Sequence, residues 1–228
     1  MKLLLTNDDG IDAPGLEALL AAAQPLGEPV VVAPYGTLSG CGHRVTTDRP
    51  LRIGQRQPQR YFVEGTPADC VRVALHGLAP DVSWVLSGIN AGGNLGADVW
   101  HSGTVAAVRE AVLHGLTGVA VSHYRRKGME VDWARAAAWV APLLRELLAR
   151  PRRPGAFWNV NLPHLDPGSP DPEVVHCPLD SRPLPVAFRR EGETFIYAGN
   201  YHARPRDAGS DVEACFGGRI AVSLLRVA

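Results

Sequence analysis

The chain has 228 residues, enough for one large domain or for one domain with an appendage. Its hydrophobic content of 46% and its charged content of 20% are ordinary values for a globular protein. The formal net charge is zero at pH 7, so no overall field attracts a nucleic acid polymer or a membrane surface, and we expect neither as a partner.

The cysteines and the apolar runs indicate the cellular compartment of the protein. The four cysteines are scattered and form no Cys-x-x-Cys pair, which argues against a zinc site or a disulfide framework. The apolar run Leu3–Leu5 is too short for a signal peptide, and no stretch has the length of a membrane span. These features predict a cytoplasmic protein.

The chain begins with a buried strand that ends in two adjacent carboxylates. Leu3–Leu5 has the pattern of a parallel strand, and the turn-forming residues Asn7–Gly10 cannot continue it. Asp8 and Asp9 therefore lie at the carboxyl end of a strand, where they repel each other unless a positive charge joins them. The turn is either a solvated acidic turn or half of a divalent-metal site.

Strands and helices alternate over the next 150 or so residues, as expected for parallel βα units. The predicted strands after the first are Val30–Ala33, Tyr61–Val63, Val82–Leu86, Val119–Val121 and Trp158–Leu162. Helices are predicted to start at Pro14, Thr66, Ser102 and Asp132, and residues 45–60 to form a short hairpin or excursion. This order predicts an α/β fold with a doubly wound, mostly parallel sheet and helices on both faces.

The composition and the pattern of predicted elements change after Pro163. A Pro-rich stretch leads to a predicted hairpin, in which Val186–Arg190 and Thr194–Ala198 flank a Glu-Gly-Glu turn, and Arg219–Leu225 is predicted as a closing strand. We therefore divide the chain into a core of residues 1–163 and a C-terminal extension of residues 164–228. An extended hairpin without obvious partners is a candidate for contacts between subunits.

Three polar loops leave the carboxyl ends of predicted strands, where doubly wound sheets bind ligands. Besides the acidic turn these are Tyr35–Arg44 and Ser87–Thr104. In the second loop Ser39 is by itself a turn residue, Cys41 an inert small residue and His43 a surface histidine. Their location beside the acidic turn is the stronger signal.

The third loop has the features of a phosphate site. Its glycines let backbone N–H groups approach an anion, and Asn90 and Asn94 add amide groups. Ser102–Thr104 places hydroxyls and free N–H groups at a helix N-terminus, although an ordinary helix cap would look the same. Neither a Walker A ending nor a Gly-x-Gly-x-x-Gly fingerprint is present. A metal on two aspartates facing such a site indicates metal-assisted phosphoester hydrolysis.

These motifs also resemble the SurE nucleotidase family. The resemblance extends over nearly the whole chain, and its motifs occur in the family's order: Thr6–Gly15, Ser39-Gly40, Val63–Val71, Ser87–Gly96, Ser102–Val105, Asn159–Pro163 and Ser210-Asp211. The chain departs from the family pattern at Tyr35–Leu38, where Asp and Arg are usual, at Cys41-Gly42, and at His101, where Tyr is usual.

The resemblance implies a Rossmann-like catalytic core and a cation-dependent phosphatase. The implied substrates are nucleoside 5′- and 3′-monophosphates and short polyphosphate. One Mg²⁺ or Mn²⁺ per subunit would be bound by Asp8, Asp9, Ser39 and Asn90. The phosphate site would comprise Asn94, Ser102, Gly103 and Thr104. The resemblance also implies a homodimer or homotetramer formed through the C-terminal segment.

The expected mechanism leaves several roles open. Asp8 and Asp9 would hold the cation, with Asp8 as a covalent nucleophile in an alternative. His43 or His101 would protonate the leaving alkoxide; alternatively, His101 would stack on the base or be an ordinary loop histidine. From other classes, the chain could be a metal-independent serine hydrolase using Ser39 or Ser102, or a non-catalytic nucleotide sensor. No Gly-x-Ser-x-Gly elbow supports the serine hydrolase, which also leaves the acidic pair without a role.

Overall fold

The computed structural model describes residues 1–126 and 128–227. Its strands are β1 (Lys2–Thr6), β2 (Glu28–Pro34), β3 (Ile53–Gln57), β4 (Arg60–Val63), β5 (Trp84–Asn90), β6 (Gly118–His123), β7 (Ala156–Leu162), β8 (Val174–His176), β9 (Phe188–Glu191), β10 (Thr194–Tyr197) and β11 (Ile220–Arg226). Its α-helices are α1 (Pro14–Ala23), α2 (Pro67–Val73), α3 (Gly103–Leu113), α4 (Trp133–Ala149) and α5 (Asp211–Phe216). No described helix is both long and apolar enough to span a membrane.

Nine strands form one sheet in the order β3-β4-β2-β1-β5-β6-β7-β11-β8. The strands from β4 to β7 in this order are parallel to their neighbours, whereas β3 and β11 run antiparallel to β4 and β7. The chain winds outward from β1 in one direction and then from β5 in the other. The switch point therefore lies between β1 and β5, and the predicted doubly wound α/β fold is confirmed.

Alternating side chains of the strands supply two apolar layers. Leu3 and Leu5 pack with α1 and α4 on one face, whereas Leu4 packs with Val30, Val32 and α2 on the other. Each of these three leucines is fully buried. Because both faces of β1 are covered, its carboxyl end and the acidic turn that follows have a fixed position.

The helix starts agree with the sequence prediction. Thr66 caps α2 in a capping box with Asp69, Ser102 caps α3, and Asp132 caps α4. One difference lies in β5, which continues to Asn90, through residues predicted to be loop. A Cβ on Gly88 would lie 2.1 Å from the Val121 carbonyl oxygen, so this glycine permits close approach to β6 and does not mark a loop.

Strands of the C-terminal extension join the central sheet as well as forming a hairpin. β11 pairs with β7, and β8 pairs with β11. The predicted hairpin is formed by β9 and β10, which pair only with each other among the described residues. The boundary between residues 1–163 and 164–228, of which Ala228 lies outside the described part, stays a prediction.

Candidate active site

The acidic turn after β1 is closed by its own side chains. Asn7 donates from Nδ2 to the Gly10 carbonyl at 2.9 Å and accepts at Oδ1 from the Gly10 N–H at 3.2 Å. Gly10 has φ of +105°, a conformation that side chains disfavour. Asp8 is 4% exposed, and its Oδ1 accepts a hydrogen bond from the Thr104 hydroxyl. The turn thus presents one carboxylate inward, against α3.

The N-terminus of α3 packs directly on Asp8. Ser102 Oγ accepts from the Val105 N–H at 3.0 Å, which leaves the first N–H groups of the helix for other acceptors. A Cβ on Gly103 would lie 2.9 Å from both Asp8 Cβ and Cys41 Sγ. A side chain at position 103 would therefore push the helix away from Asp8.

The end of β5 brings Asn90 next to the acidic pair across the switch point. Asp9 Oδ2 accepts from the Ala91 N–H at 2.9 Å, which ties the loops after β1 and β5 together. Asn90 donates from Nδ2 to the Gly92 carbonyl at 2.7 Å, so its Oδ1 is the atom available to a cation. This geometry agrees with Asn90 as an oxygen donor.

Asn94 is held in place by three buried polar residues. Its Nδ2 donates to Ser122 Oγ at 2.7 Å, and its backbone N–H donates to Asn161 Oδ1 at 2.8 Å. Its carbonyl accepts from Asn159 and Asn161 at 2.9 and 3.0 Å. The glycine-rich loop after β5 is therefore fixed at Asn94, and the asparagines on β7 have a defined structural role.

The loop that carries Ser39 is attached to the acidic turn by its backbone. The Leu38 N–H donates to the Asp8 carbonyl at 2.8 Å, and the Thr37 hydroxyl donates to the Asp9 carbonyl at 3.1 Å. At the far side of the loop, the Gly42 N–H donates to the His101 carbonyl at 3.2 Å. Ser39 thus lies on a segment anchored at both ends.

These loops enclose a cleft of about 430 Å³, which we call the switch-point cleft. Of the residues singled out in the sequence, those that line it are Asp8, Asp9, Ser39, Asn90, Asn94, His101 and Ser102. Gly103 and Thr104 lie behind Asp8 and touch it. His43 does not line the cleft: its Nε2 lies 2.7 Å from Glu110 Oε2 on α3.

The histidine outside the cleft belongs to a separate charged cluster. Glu110 is 3% exposed and also contacts Arg72 and His114, at 3.1 and 3.0 Å. Although burial opposes the effect, hydrogen bonds from His43 and His114 hold the pKa of Glu110 below its ordinary value. The structure thus places His43 as a partner of Glu110, and its role in proton transfer stays a prediction.

Burial dominates the electrostatics of the acidic pair. It raises the pKa of Asp8 to about 6, against the lowering effect of the Thr104 hydrogen bond and with a further contribution from Asp9. Burial also raises the pKa of Asp9, against the lowering effect of the Ala91 N–H. Within the described residues neither carboxylate forms an ion pair with Lys, Arg or His. The cleft therefore concentrates negative charge.

The donor set of the cleft fits a hard divalent cation. Two carboxylates, a serine hydroxyl and an asparagine amide offer oxygen atoms, as Mg²⁺ and Mn²⁺ prefer. The described part of the chain contains no group of three or more His, Cys, Asp or Glu side chains that could share a metal ion. A cation here would thus bind through two carboxylates and neutral oxygens, which is the set expected from the sequence.

Three further residues line the cleft that the sequence did not indicate, two from the C-terminal extension and one, Asp98, from the loop after β5. Leu184, Asp98 and Tyr201 line it, and the Tyr201 hydroxyl donates to Asp98 at 2.5 Å. Arg204 is 6% exposed and contacts Asp98 at 3.3 Å. Asp98 is the one acidic residue between Ser87 and Thr104, which is the only sequence signal for this cluster.

The fold and the cleft together define a doubly wound α/β protein whose polar site lies at the switch point of the sheet. A family model described as "Survival protein SurE" matches residues 3–180. The chain belongs to the SurE family.

Individual proteins agree with this assignment. The chain is 55% identical to a putative 5′-nucleotidase from Nostoc sp., with both proteins covered completely. It is 38% identical to the 5′-nucleotidase SurE of Geobacter sulfurreducens, over 100% of this chain and 88% of that protein. The crystal structure of the SurE protein from Aquifex aeolicus superposes with a TM-score of 0.87 at 30% identity, covering 100% of this chain and 94% of that one.

Proposed function

We propose that this SurE-family chain is a cation-dependent 5′-nucleotidase that hydrolyses nucleoside 5′-monophosphates to nucleoside and phosphate. The family and the names of its relatives support the activity: the chain is a phosphoric monoester hydrolase. Hydrolysis of 3′-monophosphates and short polyphosphate extends the proposal and rests on the resemblance of the motifs alone.

The observation that carries the proposal is the unneutralised acidic pair packed on the N-terminus of α3. Asp8, Asp9, Ser39 and Asn90 would hold one Mg²⁺ or Mn²⁺ per subunit. When bound, the cation would supply charge compensation and lower the pKa of an attacking water. Since Asp8 is both buried and bonded to Thr104, its free carboxylate oxygen has little freedom to turn away from the cleft.

The phosphoryl group would lie against the start of α3. Ser102, Gly103 and Thr104 offer the N–H groups and the positive end of the helix dipole, and Asn94 lines the same cleft. Donors fixed in this way stabilise the charge that develops on the transferring phosphoryl oxygens without reorganising. Gly103 is required for this because a side chain there would separate the helix from Asp8.

His101 is the better placed of the two histidines to protonate the leaving alkoxide. It lines the switch-point cleft beside Ser102, whereas His43 is engaged by Glu110. A covalent aspartyl-phosphate on Asp8 is the alternative route. A chiral phosphate ester distinguishes them, since direct attack of water inverts the configuration at phosphorus and a covalent intermediate retains it.

The decisive experiment measures phosphate release from a panel of mononucleotides with Mg²⁺, with Mn²⁺, and after removal of metal by a chelator. We expect release with either cation and none without. Full activity in the chelator would favour a serine hydrolase on Ser39 or Ser102, although no hydrogen bond joins either serine to His43 or His101 in the described residues. No release under any condition would favour a nucleotide sensor.

We also propose that the chain assembles into a homodimer or homotetramer through its C-terminal segment. The support is the hairpin of β9 and β10, whose strand residues are all exposed. Phe188, Phe195 and Tyr197 lie on one face of it, with ring centroids of Phe188 and Tyr197 5.5 Å apart. Exposed aromatic clusters of this kind mark protein contacts.

A further inference from the structure

A second recess adjoins the switch-point cleft on the side of α1 and α4, and the proposed mechanism does not use it. Its volume is about 430 Å³, and Asp9 and Ala91 line both it and the cleft. Its two aromatic side chains are Tyr35, from the loop after β2, and Trp133, from the start of α4. We call it the aromatic recess.

Tyr35 is exposed yet held in position by its neighbours. Tyr35 is 56% exposed. The Phe62 ring contacts the Tyr35 ring edge-on, with the ring centroids 5.1 Å apart. The Arg56 guanidinium lies over the Tyr35 ring at 5.6 Å and pairs with Asp12 at 3.2 Å, so it ties the tyrosine to the opposite rim. An exposed aromatic ring that is fixed in this way is a ready surface for stacking.

The backbone fixes the position of Tyr35 relative to Asp9. The Tyr35 N–H donates to the Val63 carbonyl at 2.9 Å, and three residues later the loop is bonded to the acidic turn through Leu38. A Cβ on Gly10 would lie 3.1 Å from the carbonyl carbon of Gly36, so the two loops touch through their glycines. The aromatic recess and the acidic pair therefore form one rigid unit.

The chemistry of the lining selects a neutral flat group over a phosphate. Asp9 and Asp12 line the recess, and its described lining includes no Lys, Arg or His. Arg56 compensates Asp12 at the rim, but Asp9 has no ion-pair partner among the described residues. An anion would therefore be repelled beside Asp9, whereas a heterocycle that stacks and donates hydrogen bonds would be accepted. A nucleotide bound with its phosphate on α3 carries such a heterocycle on the other side of its ribose.

We propose that the aromatic recess is the nucleobase subsite and that Tyr35 is a specificity-determining residue, which stacks on the base and favours nucleotides over phosphate esters without a base. This inference rests on the proposed function. It assigns a role to the loop in which this chain departs from the family pattern, with Tyr35–Leu38 where the family usually carries Asp and Arg. Every base offers a π face to a tyrosine ring, so the stack separates substrates with a base from those without one.

The test compares Tyr35→Leu and Tyr35→Phe on two substrates, adenosine 5′-monophosphate and ribose 5-phosphate, which lacks a base. For Tyr35→Leu we expect KM for the nucleotide to rise about ten-fold with kcat nearly unchanged, as for the loss of one base–aromatic stack. Its kcat/KM for ribose 5-phosphate should equal that of the unmodified chain, which also shows that the variant is folded. Tyr35→Phe keeps the ring and should behave like the unmodified chain.

Binding of adenosine provides a readout that does not depend on nucleotide turnover. As a competitive inhibitor of ribose 5-phosphate hydrolysis, adenosine should bind about ten-fold more weakly to Tyr35→Leu than to Tyr35→Phe. Equal losses on both substrates, or an unchanged KM and inhibition constant, would overturn the subsite while the nucleotidase activity stands. If the unmodified chain released phosphate from neither substrate, the proposed function and the subsite would be overturned together.

Discussion

The floor of the switch-point cleft and the C-terminal hairpin are organised in opposite ways. In the floor, Asp8 and Thr104 are 4% and 0% exposed, and at Gly103 there is no room for a methyl group against Asp8 and Cys41. In the hairpin every strand residue is exposed, and Phe195 reaches 66%. The floor buries a carboxylate that no cation of the described chain neutralises, whereas the hairpin exposes its aromatic side chains to solvent.

This contrast assigns ligand binding to the floor and protein contacts to the hairpin. A buried carboxylate raises the free energy of the fold unless a ligand compensates it, so the floor is built for a ligand at the expense of stability. A two-stranded hairpin is marginally stable in isolation, so an exposed one is built for a protein partner. Changes in the floor should therefore affect turnover, and changes in the hairpin should affect assembly.

The largest effect is expected for Asp8→Asn. It should lower turnover by at least roughly 10²-fold, because one oxygen ligand of the cation and the charge of the pair are lost. Stability should change in the opposite direction. Burial raises the pKa of Asp8 from 3.8 to about 6 in the folded chain, so the ionised carboxylate destabilises the fold progressively between these pH values and fully above them.

In metal-free buffer at pH 8, Asp8→Asn should therefore unfold with a free energy about 1–3 kcal/mol higher than the unmodified chain. At pH 4, where the folded chain keeps Asp8 protonated, the difference should largely disappear. Denaturant unfolding at both pH values measures it. Asp48→Asn, at an exposed position, is the matched control and should show no gain. A loss of stability at pH 8 would contradict the assignment of Asp8 as an uncompensated charge.

Gly103→Ala tests the close contact between α3 and Asp8. The added Cβ would lie 2.9 Å from Asp8 Cβ, so the helix start must move by a fraction of an ångström. We expect turnover to fall by about 10- to 100-fold, and the free energy of unfolding to fall by about 1–3 kcal/mol. Gly77→Ala adds the same methyl group where no atom lies within 4 Å and should leave turnover unchanged. Equal turnover in both variants would show that the contact has no role.

Much of this contrast is visible in the sequence, because a parallel sheet collects the carboxyl ends of its strands at one edge. Asp8, Asn90 and Ser102 follow or cap elements that are easily recognised, so their common location could be predicted. The glycines were less informative about where strands end. Gly88 has the pattern of a loop residue in the sequence, but in the structure it lies in β5 and allows this strand to approach β6 closely. Only the packing against Val121 distinguishes the two cases.

Long-range polar pairs could not be predicted. Asp98 and Arg204 are separated by 106 residues, and no local pattern connects them. Likewise, Glu110 has the sequence context of an ordinary helical residue, and nothing in the sequence shows that it forms a hydrogen bond with His43. Such pairs depend on how loops fold over the sheet, which is decided by tertiary packing.

The smallest effect on the isolated subunit, and the largest on its assembly, is expected for Phe188→Ser combined with Phe195→Ser. Both rings are exposed, at 55% and 66%, so the free energy of unfolding of the monomer should change by less than about 0.5 kcal/mol. Light scattering should show the unmodified chain as a dimer or tetramer and the double variant as a smaller species, because the apolar face of the hairpin is removed. Glu193→Ser, in the turn of the same hairpin, is the control and should keep the original mass. A monomeric unmodified chain, or a double variant of unchanged mass, would contradict assembly through the hairpin. With either result, the floor and the hairpin would still differ in solvent exposure, but the hairpin would have no role in assembly.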